Sequence, residues 1–126
     1  MNPIRTRTAE YSLLADNIIL CRILENVNIQ PADIKENLGV TLQLADGKPY
    51  VALVDGRGES TITREARELA AKPESYLLQL ASAIVVNTTS SRLIVNFIIK
   101  FYKPPVPTKL FSDIDLALIW LKTRLK

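Results

Sequence analysis

The residues of this 126-residue chain with the most chemical potential lie close together. They are Asp55, Glu59, Ser60, Thr61 and Thr63, interleaved with Arg57, Arg64 and Arg67 and spaced by Gly56 and Gly58. Such a group suits phosphate: hydroxyls as acceptors, arginines as counter-charges, and glycine N–H groups facing outward as an anion nest. A phosphate on Thr63 would sit at the N-terminus of the helix that follows, beside Arg64 and Arg67. The plainer reading of Thr63 is an N-cap. No phosphate-loop lysine–serine motif and no metal-ligand spacing accompanies the group, so no catalytic or metal-binding residue is assigned. The chain has no histidine. That removes the commonest general base and the usual serine and cysteine triads. The expectation is a non-enzymatic protein without a cofactor.

A second polar run, Thr88-Thr89-Ser90-Ser91-Arg92, opens another helix. With Arg57 it makes a candidate anion site of Arg57, Thr89, Ser90 and Arg92. A cation near a helix N-terminus is mildly unfavourable, which a bound anion would offset. The plain alternative is that Arg92 points to solvent or pairs with Asp55 or Glu59.

Both groups owe their position to continuous apolar runs. Tyr50-Val51-Ala52-Leu53-Val54 and Ala81-Ser82-Ala83-Ile84-Val85-Val86 are short and apolar throughout, as strands covered on both faces are. In open α/β sheets the carboxyl ends of such strands are where ligands and partners meet the protein. Upstream, Glu10–Leu14 and Ile18–Leu24 flank the turn formers Asp16 and Asn17 and predict a β-hairpin. Tyr11, Leu13, Ile19, Cys21 and Ile23 are its inward candidates. Pro31 and Asp33 suit the first turn of a helix whose stripe is Ile34, Leu38, Leu42 and Ala45. Gly39 within it would allow close backbone approach, and Gly47 would be its left-handed stop. Thr63 opens the next helix, with Glu68 and Lys72 spaced to pair. The helix after Thr88 carries Leu93, Ile94, Phe97, Ile98 and Phe101 as its expected core stripe, and Pro104-Pro105 ends it. Thr108–Phe111 makes a last strand, and Ser112 caps a terminal helix whose face is Ile114, Ala117, Leu118, Leu121 and Leu125. The expected order is ββαβαβαβα, a single α/β domain over 10–126. It has a mixed, mostly parallel sheet of about five strands and about four helices. Residues 1–9 lack periodicity and read as a flexible tail.

At 48% hydrophobic and 23% charged the composition is that of a globular protein. Its +3 net charge is uneven, because residues 91–126 hold seven of the sixteen basic groups and only two of the thirteen acidic ones. Helix-end cations such as Lys100, Lys103, Lys122, Arg124 and Lys126 account for much of this. Nucleic acid is disfavoured as a partner, since no aromatic and basic residues interleave. The single cysteine, Cys21, lies in an apolar run and reads as a small buried hydrophobe. No run reaches the ~18 residues of a membrane span and no secretory signal is visible, so a cytoplasmic location is expected.

The order of elements resembles the STAS fold of bacterial anti-sigma-factor antagonists (the SpoIIAA-like fold). The segments Asn96–Phe111, Ala117–Leu121, Val54–Gly58 and Ile62–Arg67 are similar to a little-characterised bacterial group within it. The resemblance covers about residues 10–125. It implies a regulatory protein-interaction domain acting in signalling, with the 55–64 loop and the following helix as the contact surface. In phosphorylated antagonists the equivalent loop carries an Asp-Ser-Ser-Gly-like motif. Here only Asp55 matches, and Thr63 holds the approximate cap position. The alternative implied is a SEC14-like or STAS-like carrier of a lipid or other small ligand, which would need an apolar pocket. The expected partner is thus an unidentified protein, with a small anionic or lipid ligand, or a homodimer, as further options.

Overall fold

The computed structural model describes residues 3–125. Strand β1 (Ile4–Arg5) leads into the hairpin β2 (Ala9–Leu14) and β3 (Ile18–Ile23), then β4 (Val27–Ile29) and helix α1 (Pro31–Ala45). There follow β5 (Tyr50–Asp55), β6 (Ser60–Ile62), α2 (Arg64–Ala70), β7 (Gln79–Val85), α3 (Thr89–Tyr102), β8 (Thr108–Phe111) and α4 (Ile114–Thr123). The main sheet has six strands in the order β1-β2-β3-β5-β7-β8. The pairs on the β1 side are antiparallel, and those from β3 to β8 are parallel. This is the mixed, mostly parallel sheet with four helices that the sequence predicts. A sixth strand, β1, and a separate parallel pair, β4 with β6, add to it.

The hairpin forms where expected, with Tyr11 opposite Cys21. Asp16 and Asn17 both take positive φ in its turn, a conformation these two residue types tolerate. The expected tail is in part structured: Ile4–Arg5 pairs with β2, and Thr6 and Thr8 are buried. Arg7 holds it to α1, donating from Nε to Asp33 Oδ1 at 2.9 Å and from Nη2 to the Asn28 carbonyl at 2.6 Å. Polar side chains do the anchoring here, which is why hydrophobic periodicity shows nothing. Asp33 also accepts from Gln30 N–H, so it caps α1, and its carboxyl is held below the usual range chiefly by Arg7.

Other details differ by a residue or two. Asp113, not Ser112, caps α4, accepting from Leu116 N–H at 3.1 Å. Helix α1 stops at Asp46, already left-handed, one residue before Gly47. A side chain at Gly39 would meet nothing within 4 Å, so no close approach explains that glycine. Glu68 pairs with Arg64, not with Lys72. Lys126, one of the helix-end cations, lies outside the described residues.

Alternation along the strands sends Ile18, Val51, Leu53, Ala81, Ala83 and Val85 to one face, where Ala117 and Leu121 of α4 close on them. The opposite face carries Ala9, Tyr11, Ile19, Tyr50 and Ala52, covered by Leu44 and Ala45 of α1. Helix α3 lies over the β7–β8 end of this second face. Among the described residues, no helix is long and apolar enough to cross a membrane.

Candidate functional site

Asp55 ends β5, buried, and its carboxylate is already partnered. Arg57 reaches it with Nε at 2.9 Å and Nη2 at 3.0 Å, and Arg57 N–H adds a third bond at 3.2 Å. These bonds hold the Asp55 carboxyl below the usual carboxylate range against the opposing effect of burial, and the field of Arg22 adds to them. The Gly56 N–H donates to the Val85 carbonyl at 2.8 Å. Of the glycine N–H groups of the expected anion nest, that of Gly56 is therefore used inside the protein, as is the neighbouring Arg57 N–H. Neither Gly56 nor Gly58 has a positive φ. A Cβ at Gly58 would come within 2.7 Å of Glu25 Cγ, so the exposed Glu25 side chain would have to shift to admit one. That approach goes with the bond from Asn26 N–H to the Glu59 carbonyl, which leads into the β4–β6 pair.

Thr63 is the N-cap of α2, as its plainer reading requires, and accepts from Ala66 N–H at 3.1 Å. Arg64 pairs with Glu68 on the surface at 3.3 Å. Arg67 turns back to donate to the Ile62 carbonyl at 3.2 Å, which fixes α2 to β6. Of the arginines of the proposed contact surface, Arg67 thus ties α2 to its neighbour, whereas Arg64 stays exposed. Ser60 and Thr61 remain exposed, with Thr61 donating to Asn28 Oδ1.

Thr88 caps α3, accepting from Ser91 N–H. In the parallel topology this helix start faces the 55–61 loop across an open cleft of about 620 Å3. Arg57, Ser60 and Thr61 line one side of it, and Thr88, Ser90 and Ser91 the other. The fold therefore brings Arg57 and Ser90 of the candidate anion site together. Thr89 and Arg92 are not in the lining, and Arg57 is committed to Asp55. The four residues do not converge on one point.

Next to this cleft, between α3 and the sheet, lies a second cavity of about 290 Å3. Its floor is Val54, Ile84 and Val86, its roof Val95, Ile98 and Ile99, and its end wall Ile29 and Ile62. Ser82 and Tyr76 contribute hydroxyl-bearing side chains, and no charged residue lines it. Burial pushes the Tyr76 phenol up. Gly58, Ser60 and Thr61 close one end, so the loop singled out in sequence borders both cavities.

This site follows from the way α3 is seated. The helix is apolar around most of its circumference, and the sequence favours a core stripe of Leu93, Ile94, Phe97, Ile98 and Phe101. The structure keeps Ile98 toward the sheet and sets Val95 and Ile99 beside it, in place of Leu93, Phe97 and Phe101. Leu93, Ile94, Phe97 and Phe101 are 66, 57, 59 and 65% exposed, and no residue of α3 is fully buried. Two apolar faces compete for one sheet, and periodicity alone does not choose between them. The available signal was that breadth: an apolar arc too wide for one contact implies a second one.

The chain matches, over residues 12–125, the model of a family described as a domain of unknown function (DUF7793), and it belongs to that family. No curated protein matches it. Its fold is similar to the crystal structure of an uncharacterized protein of the DUF3478 family, with a SpoIIAA-like fold, from Shewanella loihica PV-4. The TM-score is 0.62 at 18% identity, covering 95% of this chain and 90% of that one. The SpoIIAA-like architecture expected from the order of elements is therefore the fold of this protein.

Proposed function

We propose that this member of the DUF7793 family is a non-enzymatic binding module that holds a small apolar ligand between α3 and the sheet. One observation carries the reading: the cavity of about 290 Å3 is lined without a single charged side chain. Such a lining binds by removing apolar surface from water and places no acid or base against the ligand. The volume takes about ten non-hydrogen atoms at the ~30 Å3 each occupies in a liquid. A short acyl or alkyl chain, or a compact ring system, fits. Ser82 and Tyr76 can orient one polar end. Catalysis is disfavoured because the best-placed carboxylate, Asp55, is neutralised by Arg57 and lies outside the lining.

The test is a thermal-shift series with saturated alcohols and fatty acids of increasing length, beside native mass spectrometry of the purified protein. Melting temperature should rise with the alcohols and acids that fill the cavity and fall back for longer ones. Ile98→Trp, which fills the space, should abolish the rise. Equal responses from the Trp variant and the wild type, or none from either, sink the reading.

Regulatory contact with a protein partner through the 55–64 loop and α2 is a second reading, favoured by a different feature. Exposed Glu59, Ser60 and Thr61 form one wall of the open cleft, and Ser60 and Thr61 also close the apolar cavity. Ligand occupancy and partner contact would then share residues. Since Arg64 and Arg67 are internally bonded, Ser60→Glu with Thr61→Glu is the sharper pair to compare with wild type in a pulldown.

A further inference from the structure

We infer that the outer face of α3 docks on an anionic lipid bilayer. Leu93, Ile94, Phe97 and Phe101 form an exposed stripe at three- and four-residue spacing, with the Phe97 and Phe101 rings stacked 5.5 Å apart. Four large apolar side chains this exposed on one helix are more than a scatter of surface hydrophobes and mark an interaction site. Along one flank run Arg92, Asn96, Lys100 and Lys103, all exposed and again three and four residues apart. The helix carries no carboxylate. Among the described residues none of its three flanking cations is in an ion pair.

An apolar stripe edged by cations on one helix suits the plane of a bilayer, with aromatic and leucine side chains at the acyl boundary and cations among the headgroups. A second copy is the poorer occupant. A two-fold contact through this stripe would set two basic flanks near each other with no acidic residue on either helix to balance them. The docked orientation also has a use. Ile94 belongs to the exposed stripe and to the lining of the cavity, so the cavity opens beside the docked face. An apolar chain could pass between bilayer and cavity without crossing bulk water. This last step rests on the ligand reading above, whereas the docking itself does not.

The experiment is co-sedimentation of the full chain with vesicles of equal parts phosphatidylglycerol and phosphatidylcholine, against phosphatidylcholine alone. Wild type should bind the anionic vesicles, bind the neutral ones far less, and lose affinity as salt rises. Arg92→Glu with Lys100→Glu should bind at least about 25-fold more weakly, at roughly fivefold for each cation removed. Phe97→Asp should lose binding with its circular dichroism unchanged. Neither Arg92 nor Lys100 lines the cavity, so the double variant should keep the wild-type thermal response to ligand, which separates a failure of docking from a failure of the ligand reading. Equal sedimentation of the charge variant and wild type overturns the proposal. So does a wild type that ignores both vesicles, or a wild-type dimer that Phe97→Asp dissociates, which would give the face to a second copy.

Discussion

The two faces of one sheet are finished differently. Against α4, Val51, Leu53, Ala81, Ala83, Val85, Ala117 and Leu121 are at most 1% exposed, and small residues on β7 let the helix approach closely. Against α3, the alternating residues Val54, Ser82, Ile84 and Val86 meet a helix that buries none of its own side chains completely. Close packing on the first face supplies stability and leaves no room for a ligand. Incomplete closure on the second face forgoes some of that stability and leaves a cavity and an exposed apolar stripe. The same strands serve both ends because alternate residues face opposite ways.

The comparison is most easily broken with paired truncations. Leu121→Ala on the closed face should cost about 2–5 kcal/mol in urea unfolding, the range for a fully buried leucine. Ile99→Ala under α3 should cost about 1 kcal/mol or less, since the half-buried side chain has less surface to lose. Similar losses at the two sites would mean that α3 packs as tightly as α4.

A smaller effect is expected at Asp55, where the two faces meet the loop. Asp55→Ala should cost about 1–2 kcal/mol, after allowing for the solvent around its partner Arg57. Its depressed folded-state pKa makes the stabilisation full above the unfolded value of about 3.9 and lost as pH falls through the folded value. Asp33, held down by Arg7, follows the same sign. Wild-type stability should therefore decline below about pH 4, and Asp55→Asn should flatten that decline in part without removing it. An unchanged acid limb in Asp55→Asn would show that the Arg57 contact does not hold the loop in solution.

The smallest change sharpens the picture of α1, which shares a sheet face with α3. Gly39 is exposed, within the helix, and has open space where a Cβ would stand. Gly39→Ala should stabilise by roughly 0.5–1 kcal/mol through backbone entropy. Destabilisation measured by the same urea titration would mean that something approaches this position after all.

By itself, the sequence determined the order of the longer elements, the hairpin, the two buried central strands, and the loop at their carboxyl ends. Each of these has a local cause: apolar runs bounded by turn formers, Asp16 and Asn17 in the turn, Thr63 and Thr88 as caps. Because the strand-end rule is topological, the 55–64 loop was legible as a place of interest before any contact was known. What its side chains do there was not legible. Asp55 and Arg57 neutralise each other, the Gly56 N–H goes to Val85, and Arg67 turns back to Ile62, through geometry no spacing encodes. β1 and the β4–β6 pair are not legible in the sequence because two- and three-residue strands are too short to show alternation. The tertiary structure alone decided which side of α3 faces the sheet. Its apolar arc, bounded by Arg92, Asn96 and Lys100, is wider than one contact, so periodicity does not choose which part of the arc is buried. Contact with the sheet through Val95, Ile98 and Ile99 sets its seat, and with it both the cavity beneath and the stripe above.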